Sequence, residues 1–260
     1  MDWLGKLVTY WATSFIAILV FQTVIFAYIR RKNRYDVADV IWAPSILVGF
    51  LSSVPIYPDF KWKNIVVAVL VLVWAFRLSY HIYRRFISKN EMDERYIKLI
   101  GVKPRPPVIY LKVFVVQSLM ASIISLTFIA LPYADLNVWA LAFGVIVWLV
   151  GFTIESLADN QLAKHIKYSH EIMKDGLWHY SRHPNYFGEI MQWWGLWIVS
   201  VGSGLVWLAV IGPITITYLI IFVSGIPMLE KHMSTKSGWE KYKEETPVLI
   251  PRLISRHNTG

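Results

Sequence analysis

The stretch LVTYWATSFIAILVFQTVIFAY, residues 7–28, is apolar and carries no charged side chain. About 20 residues of this kind let an α-helix cross a hydrocarbon core roughly 30 Å thick. The stretch is longer than the apolar part of a signal peptide, and the basic run RRKNR at residues 30–34 follows it in place of a small-residue cleavage site. Residues 7–28 therefore predict a membrane helix that the mature protein retains.

Six further apolar stretches lie downstream of the first. Together they predict membrane segments at residues 7–28, 37–54, 65–82, 111–131, 138–154, 190–201 and 205–226. The sixth is short and turns directly into the seventh through Gly202-Ser203-Gly204, which suggests a hairpin with one helix partly outside the hydrocarbon. The chain has no repeat of solenoid period and no break in composition. We therefore expect an all-α, polytopic membrane protein with seven transmembrane helices, folded as a single domain over residues 1–260.

The composition agrees with a membrane protein and excludes several other classes. Of the 260 residues, 56% are hydrophobic and 17% are charged, whereas soluble proteins carry about 25% charged residues. The 13 Trp, 14 Tyr and 13 Phe residues are far more than disordered, collagen-like or coiled-coil chains contain. The absence of cysteine excludes a disulfide framework, a thiolate metal site and a cysteine nucleophile.

The net charge of +9 is explained by membrane topology. Most of the 26 Lys and Arg residues fall in four loops, at residues 30–36, 84–107, 155–185 and 229–260. The opposite loops hold Lys6, Lys61 and Lys63. Because short basic loops stay in the cytoplasm, the N-terminus is expected outside and the C-terminus inside, in a plasma, inner or endoplasmic reticulum membrane. A nucleic-acid partner is not expected.

Four groups of polar side chains stand at the predicted cytoplasmic ends of the segments, where ionisable residues are costly and are functional candidates. They are Asp36 and Asp39 at the second segment, Arg77, Tyr80, His81, Tyr83 and Arg84 at the third, Glu155 and Asp159 at the fifth, and SRHPNYFGE, residues 181–189, at the sixth. Each group has a structural alternative: Arg77 and Lys112 can reach the interface, and Glu155 and Asp159 can pair with Lys164. Their convergence on one side favours a polar cavity for a cytosolic ligand.

The run at residues 181–189 is the most informative of the four groups. Pro184 predicts the first residue of a helix, because proline lacks the N–H that would have no intrahelical partner there. Asn185 and Glu189 then share one face of that helix. Arg182 and His183 beside a helix N-terminus suit a phosphate, whereas Asn185 and Glu189 suit an amide or a ribose hydroxyl.

Other kinds of site are disfavoured. His179 and His183 lie four residues apart like metal ligands, but Pro184 breaks the helical geometry that such a pair needs, so no metal is expected. The glycines form neither G-x-G-x-x-G nor a Walker A run, so any nucleotide is held by another kind of fold. Neither G-x-S-x-G nor H-E-x-x-H occurs, which argues against serine hydrolase and zincin chemistry.

These motifs together resemble the steroid 5-alpha-reductase superfamily, and most closely its branch of uncharacterised membrane proteins of about this length. The likeness rests on Gly176-Leu177-Trp178, the run 181–189, Glu155-Ser-Leu-Ala-Asp159, and Lys241-Tyr242 ahead of Ile250-Pro251. It extends over most of the chain and is strongest from residue 150 to residue 251.

The resemblance implies a seven-helix fold that binds NADPH in a cytosol-facing cavity and reduces a C=C bond conjugated to a carbonyl in a steroid-like or other lipid. It implies cofactor contacts from Glu155, Asp159, Arg182, His183, Asn185, Tyr186, Glu189, Arg84 and Tyr242. Arg182 and basic loop residues would meet the phosphates.

The resemblance also implies a catalytic group. Members carry a substrate-polarising tyrosine near the end of a helix, ahead of x-x-Arg. That position is held here by His81, with Arg84 after it, Tyr80 and Tyr83 beside it, and Asp39 as the loosely matched acidic partner. Hydride attack on a conjugated C=C bond develops negative charge on the carbonyl oxygen, which His81 or a flanking tyrosine would stabilise. Asp39 would orient that donor if the second and third helices are neighbours.

Two alternatives remain. Membrane isoprenylcysteine and phospholipid methyltransferases, which use S-adenosylmethionine, share a similar Arg-His-Pro-x-Tyr run and a C-terminal Glu. The continuation Asn185-Tyr-Phe-Gly-Glu189 and the spacing of Glu155 and Asp159 favour the reductase. A non-catalytic lipid-binding protein that keeps the same fold is the second alternative.

Overall fold

The protein is all-helical and spans the membrane more than once. The computed structural model describes residues 2–56, 61–89, 91–101, 105–131, 137–169 and 171–252. Helices make up 78% of these described residues, and no strand occurs among them. The predicted all-α class is therefore confirmed.

Fourteen α-helices lie in the described part of the chain. They are α1 (Trp3–Ile29), α2 (Val37–Val40), α3 (Trp42–Ser52), α4 (Trp62–Ser88), α5 (Glu94–Ile100), α6 (Pro106–Ile109), α7 (Val116–Ile124), α8 (Val138–Tyr168), α9 (Leu177–Tyr180), α10 (Pro184–Ile198), α11 (Val206–Ala209), α12 (Ile211–Tyr218), α13 (Ile226–Met233) and α14 (Trp239–Glu245). Shorter 3₁₀ or π-helical segments occur at Val54–Ile56, Tyr110–Val115, Ser125–Phe128 and Leu219–Val223.

Five continuous helical stretches among the described residues are long and apolar enough to cross a membrane. They are Trp3–Ile29, Trp62–Ser88, Pro106–Phe128, Val138–Tyr168 and Val206–Met233. They correspond to the first, third, fourth, fifth and seventh predicted segments. The protein is thus a multi-pass integral membrane protein.

The second and sixth predicted segments form shorter helices, so seven spans are not confirmed. The apolar helix at the second segment covers Trp42–Ser53, where the 3₁₀ turn Val54–Ile56 follows. Pro55 stands in that turn, and proline cannot continue an α-helix. Helix α10 has 15 residues, or roughly 22 Å at 1.5 Å per residue, which is less than the hydrocarbon thickness. It ends before Gly202, whose positive φ of 95° turns the chain.

Packing divides the chain into two compact units. Unit 1 comprises residues 1–137 and 200–212, and unit 2 comprises residues 138–199 and 213–260. The two units are defined by contacts within the fold, whereas the single domain was predicted from the even composition along the chain. The single domain therefore stays a prediction.

In unit 1, α1 packs against α3 and α7, and α2 and α3 pack against α4. The interior contains buried polar side chains that are bonded between helices: Ser14 Oγ donates to the Gly49 carbonyl at 3.0 Å, and Gln22 Nε2 donates to Ser45 Oγ at 3.0 Å. Such bonds satisfy polar groups that lipid cannot solvate.

In unit 2, the backbones of α8 and α10 lie in direct contact and run antiparallel. Gly144 faces Gly195, and Gly151 faces Gly188. A Cβ atom at Gly151 would stand 2.5 Å from the Gly188 carbonyl oxygen, and one at Gly195 would stand 2.8 Å from that of Gly144. Glycines at both crossing points therefore allow a separation that no larger residue would permit.

Candidate functional site

The α8–α10 helix pair carries two carboxylate–amide hydrogen bonds. Asp159 Oδ1 accepts from Asn185 Nδ2 at 3.2 Å, and Glu155 Oε2 accepts from Gln192 Nε2 at 2.6 Å. Glu155 is 3% exposed and Asp159 is 6% exposed. Helix α8 thus supplies the acids and α10 the amides, as the spacing of Glu155 and Asp159 by one turn allows.

The local sequence explains how α10 presents these groups. Pro184 is at the start of α10, as predicted. The backbone N–H of His183, the residue before it, donates to Ser181 Oγ at 3.1 Å. Asn185, Glu189 and Gln192 are spaced four and then three residues apart, so they share one face of the helix. Glu189 is also buried, at 9% exposure.

Between His183 and Gln192, three buried polar atoms have no hydrogen-bond partner among the described residues. They are Nδ1 of His183, Oδ1 of Asn185 and Oε1 of Gln192. In folded proteins the large majority of buried polar atoms are paired, and a specific unpaired group calls for an explanation. A ligand with N–H or O–H groups would satisfy these atoms, so the residues fit a polar organic ligand.

Arg182 and His183 share one acidic partner. Arg182 Nε and Nη2 each lie 2.8 Å from Glu230 Oε1, and His183 Nε2 lies 3.2 Å from the same oxygen. Burial lowers the pKa of His183, and Glu230 opposes that change only in part. A neutral imidazole that donates through Nε2 has an acceptor at Nδ1.

The C-terminal segment is attached to the residues that precede α10. Arg182 Nη1 donates to the carbonyls of Lys243, at 2.8 Å, and Thr246, at 2.6 Å, and the Arg182 backbone N–H donates to Pro247 O at 2.9 Å. Ser181 Oγ donates to Leu249 O at 2.8 Å. The guanidinium nitrogens of Arg182 thus already have protein acceptors. Its predicted contact with a phosphate stays a prediction.

The two tyrosines predicted to meet the cofactor have protein contacts of their own. Tyr242 is buried, and its hydroxyl donates to Trp178 O at 2.6 Å. Burial raises the pKa of Tyr242 above its usual range. The ring of Tyr186 stacks on that of His183 with centroids 5.7 Å apart. Tyr242 therefore helps to attach α14, and Tyr186 supports His183.

The predicted catalytic residues all belong to unit 1. Asp39 Oδ1 accepts from the Tyr96 hydroxyl at 2.6 Å, and its Oδ2 accepts from Arg95 Nη2 at 2.8 Å. Burial, followed by the charge of Asp39, raises the pKa of Tyr96. The bonds that orient the Asp39 carboxylate thus come from α5.

Around His81, the predicted neighbours differ in exposure. Tyr80 and Tyr83 are exposed, His81 is half-buried, and the Arg84 guanidinium lies 6.0 Å from the Tyr80 ring centroid. The second segment packs against the third, which was the condition for an orienting role of Asp39, since α2 and α3 both contact α4.

Two residues of the site were not predicted from the sequence. Gln192 lies inside the apolar run that predicted the sixth segment, and Glu230 follows the seventh segment among other charged residues. A signal for Gln192 was present, since it lies seven residues after Asn185 and thus on the same helical face. Glu230 had no comparable signal, because its partners are 47 and 48 residues away.

A comparison with protein families covers most of the chain. A family model described as "Protein of unknown function (DUF1295)" matches residues 25–246. No curated protein matches the chain. The matched range includes every residue of α8 and α10.

Proposed function

Because the chain belongs to the DUF1295 family, whose description names no activity, we propose its function from its own residues. We propose an NADPH-dependent membrane oxidoreductase of the steroid 5-alpha-reductase superfamily, which reduces a C=C bond conjugated to a carbonyl in a steroid-like or other lipid. The observation that carries this proposal is the pair of bonds Glu155–Gln192 and Asp159–Asn185, beside acceptors that have no partner in the described part of the chain.

The chemistry of these acceptors suits a nucleotide. Ribose hydroxyls and a carboxamide present O–H and N–H donors without negative charge, and amide oxygens are good acceptors for both. The carboxylates of Glu155 and Asp159 contact the amides, which disfavours a phosphate at this place and leaves the phosphates to basic loop residues.

The proposed reaction divides the work among the chain's residues. When bound, NADPH would supply a hydride for the distal carbon of the conjugated C=C bond, and a proton from water would complete the reduction at the neighbouring carbon. Asn185 and Gln192 hold the ligand by accepting hydrogen bonds from it. His81, flanked by Tyr80 and Tyr83, is the proposed donor to the carbonyl oxygen of the substrate, where a preformed hydrogen bond stabilises the developing charge.

We expect the purified full-length chain to be stabilised against thermal unfolding by NADPH and not by S-adenosylmethionine. A ligand at a hundredfold its dissociation constant stabilises a protein by about 2.7 kcal/mol, which a thermal-shift titration resolves. Glu189→Ala should weaken NADPH binding by roughly tenfold or more, the cost of a hydrogen bond to a charged group.

The controls separate binding from chemistry. Glu244→Ala, at an exposed position, should bind NADPH like the wild type. His81→Ala should bind NADPH equally well yet oxidise it more slowly in the presence of enone lipids. Stabilisation by S-adenosylmethionine alone would replace the reductase with a methyltransferase, and lipid binding without either nucleotide would leave a non-catalytic protein.

The proposed topology keeps seven membrane segments. If only the five long helices crossed, the basic loops at residues 84–107 and 155–185 would lie opposite those at 30–36 and 229–260. That arrangement contradicts the tendency of Lys and Arg to stay on the cytoplasmic side. We therefore propose that α2 with α3, and α10 with the residues after it, return the chain across the bilayer. The N-terminus then lies outside, and the C-terminus and the cofactor site face the cytoplasm.

Labelling can test this topology, because the chain contains no cysteine. In intact cells, Lys61→Cys should react with a membrane-impermeant maleimide, whereas Lys98→Cys should react only after permeabilisation. Both positions are exposed in the structure, so burial does not limit their reaction. Labelling of Lys98→Cys in intact cells would show that α3 does not return the chain.

A further inference from the structure

Gln192 is a completely buried amide with one half of its side chain bonded and the other half not. It is 1% exposed. Its Nε2 donates to Glu155 Oε2 at 2.6 Å and to the Gly188 carbonyl at 3.3 Å. Its Oε1 has no hydrogen-bond partner among the described residues. A buried amide oxygen in this state is costly unless a ligand supplies a donor.

The neighbours of Gln192 fix which way the amide points. A carboxylate oxygen and a backbone carbonyl both accept hydrogen bonds, so both require the NH₂ group. Turning the amide over would place its oxygen against those two oxygens and lose two bonds. The unpartnered atom is therefore an acceptor, and its missing partner is an N–H or an O–H group.

Asn185 repeats the arrangement. Its Nδ2 is held by Asp159, and its Oδ1 is likewise without a partner. The two amides are seven residues apart on α10, which corresponds to roughly 10 Å along the helix axis. Two acceptors at this spacing suit an extended ligand with two separate neutral donors, and each acceptor is oriented by a carboxylate of α8.

We propose that Gln192 is a specificity-determining residue whose Oε1 accepts a hydrogen bond from the carboxamide NH₂ of the nicotinamide ring, an inference that rests on the proposed function. Of the two acceptors, Gln192 lies farther from the start of α10 at Pro184. The hydride-bearing ring must lie nearest a substrate dissolved in the bilayer, so it takes the deeper position. Asn185 then accepts from a ribose hydroxyl.

The test compares two dinucleotides that differ at one group. In 3-acetylpyridine adenine dinucleotide phosphate, a methyl replaces the NH₂ of the carboxamide in NADP⁺. Calorimetric titration of the full-length protein in detergent should give a dissociation constant at least roughly tenfold lower for NADP⁺ than for the analogue. Gln192→Met, which keeps the length of the side chain without the amide oxygen, should reduce this ratio to about one.

Two further variants distinguish specificity from structure. Asn185→Ala should weaken both ligands equally and leave their ratio unchanged. Glu155→Gln lets the Gln192 amide turn over and should lower the ratio several-fold, which serves as the test if Gln192→Met does not fold.

The outcomes separate this inference from the proposed function. Equal affinity of the wild type for both dinucleotides, or an unchanged ratio in Gln192→Met, would overturn the role of Gln192 and leave the reductase proposal standing. A wild-type protein that binds neither dinucleotide would overturn both.

Discussion

Gly188→Leu is expected to force α8 and α10 apart and to destabilise unit 2 by about 3 kcal/mol or more, at the upper end of the usual cost of overpacking. A Cβ atom at Gly188 would stand 2.5 Å from the Gly151 carbonyl oxygen and 2.6 Å from the Glu155 amide nitrogen. Both are backbone atoms, so no side chain can move aside to make room. Thermal unfolding of the purified protein in detergent should show a large decrease in the melting temperature.

Gly204→Leu is the matched control, because no heavy atom of the described residues, other than the chain neighbours of Gly204, lies within 4 Å of a Cβ built there. It should melt close to the wild type. If Gly188→Leu and Gly204→Leu melted alike, the close approach of the two helices would not exist in solution.

Arg182→Ala should have the second large effect, a loss of about 3 kcal/mol together with release of the C-terminal segment. Removing one partner of a buried ion pair typically costs 3–5 kcal/mol, and the lower end applies because the Glu230 side chain is 21% exposed. The bonds from Nη1 to the carbonyls of Lys243 and Thr246 are lost as well. Thermal unfolding and limited proteolysis with mass spectrometry would detect the two effects.

Lys241→Ala provides the comparison for Arg182→Ala. Lys241 Nζ lies 3.8 Å from Glu245 Oε1, and both side chains are mostly exposed. Exposed pairs contribute about 0–1 kcal/mol, so this variant should melt nearly like the wild type and resist protease. Equal protease sensitivity of the two variants would mean that Arg182 does not hold the segment.

The long helices could be predicted from the sequence because apolar length alone decides them. The ends of the helices could not. The segment predicted at residues 138–154 continues to Tyr168 in α8, since charged residues do not stop a helix and no glycine or proline occurs between Glu155 and Gly176. The break after Ser52 also depends on local turn geometry, which hydropathy does not report.

The site was predictable in part. The run at residues 181–189 indicated Pro184 as a helix start and Asn185 as a site residue, and the structure places Asn185 on Asp159. The partner of Glu155 was not predicted, because the register of α8 against α10 decides it. That register depends on contacts of Gly144 with Gly195 and of Gly151 with Gly188. These glycines are far apart in the sequence, and a single sequence does not show which of them are in contact.

The glycine contacts between α8 and α10 also make the pair resistant to sliding. A shift of one helical turn, four residues, would bring Trp148 to the position of Gly144 or Gln192 to that of Gly188, where the opposing backbone leaves no room for a Cβ atom. Steric contact between the two backbones would then prevent a change in lipid packing from altering the distances from Glu155 to Gln192 and from Asp159 to Asn185. A protein built in this way should retain its ligand selectivity across bilayers of different thickness.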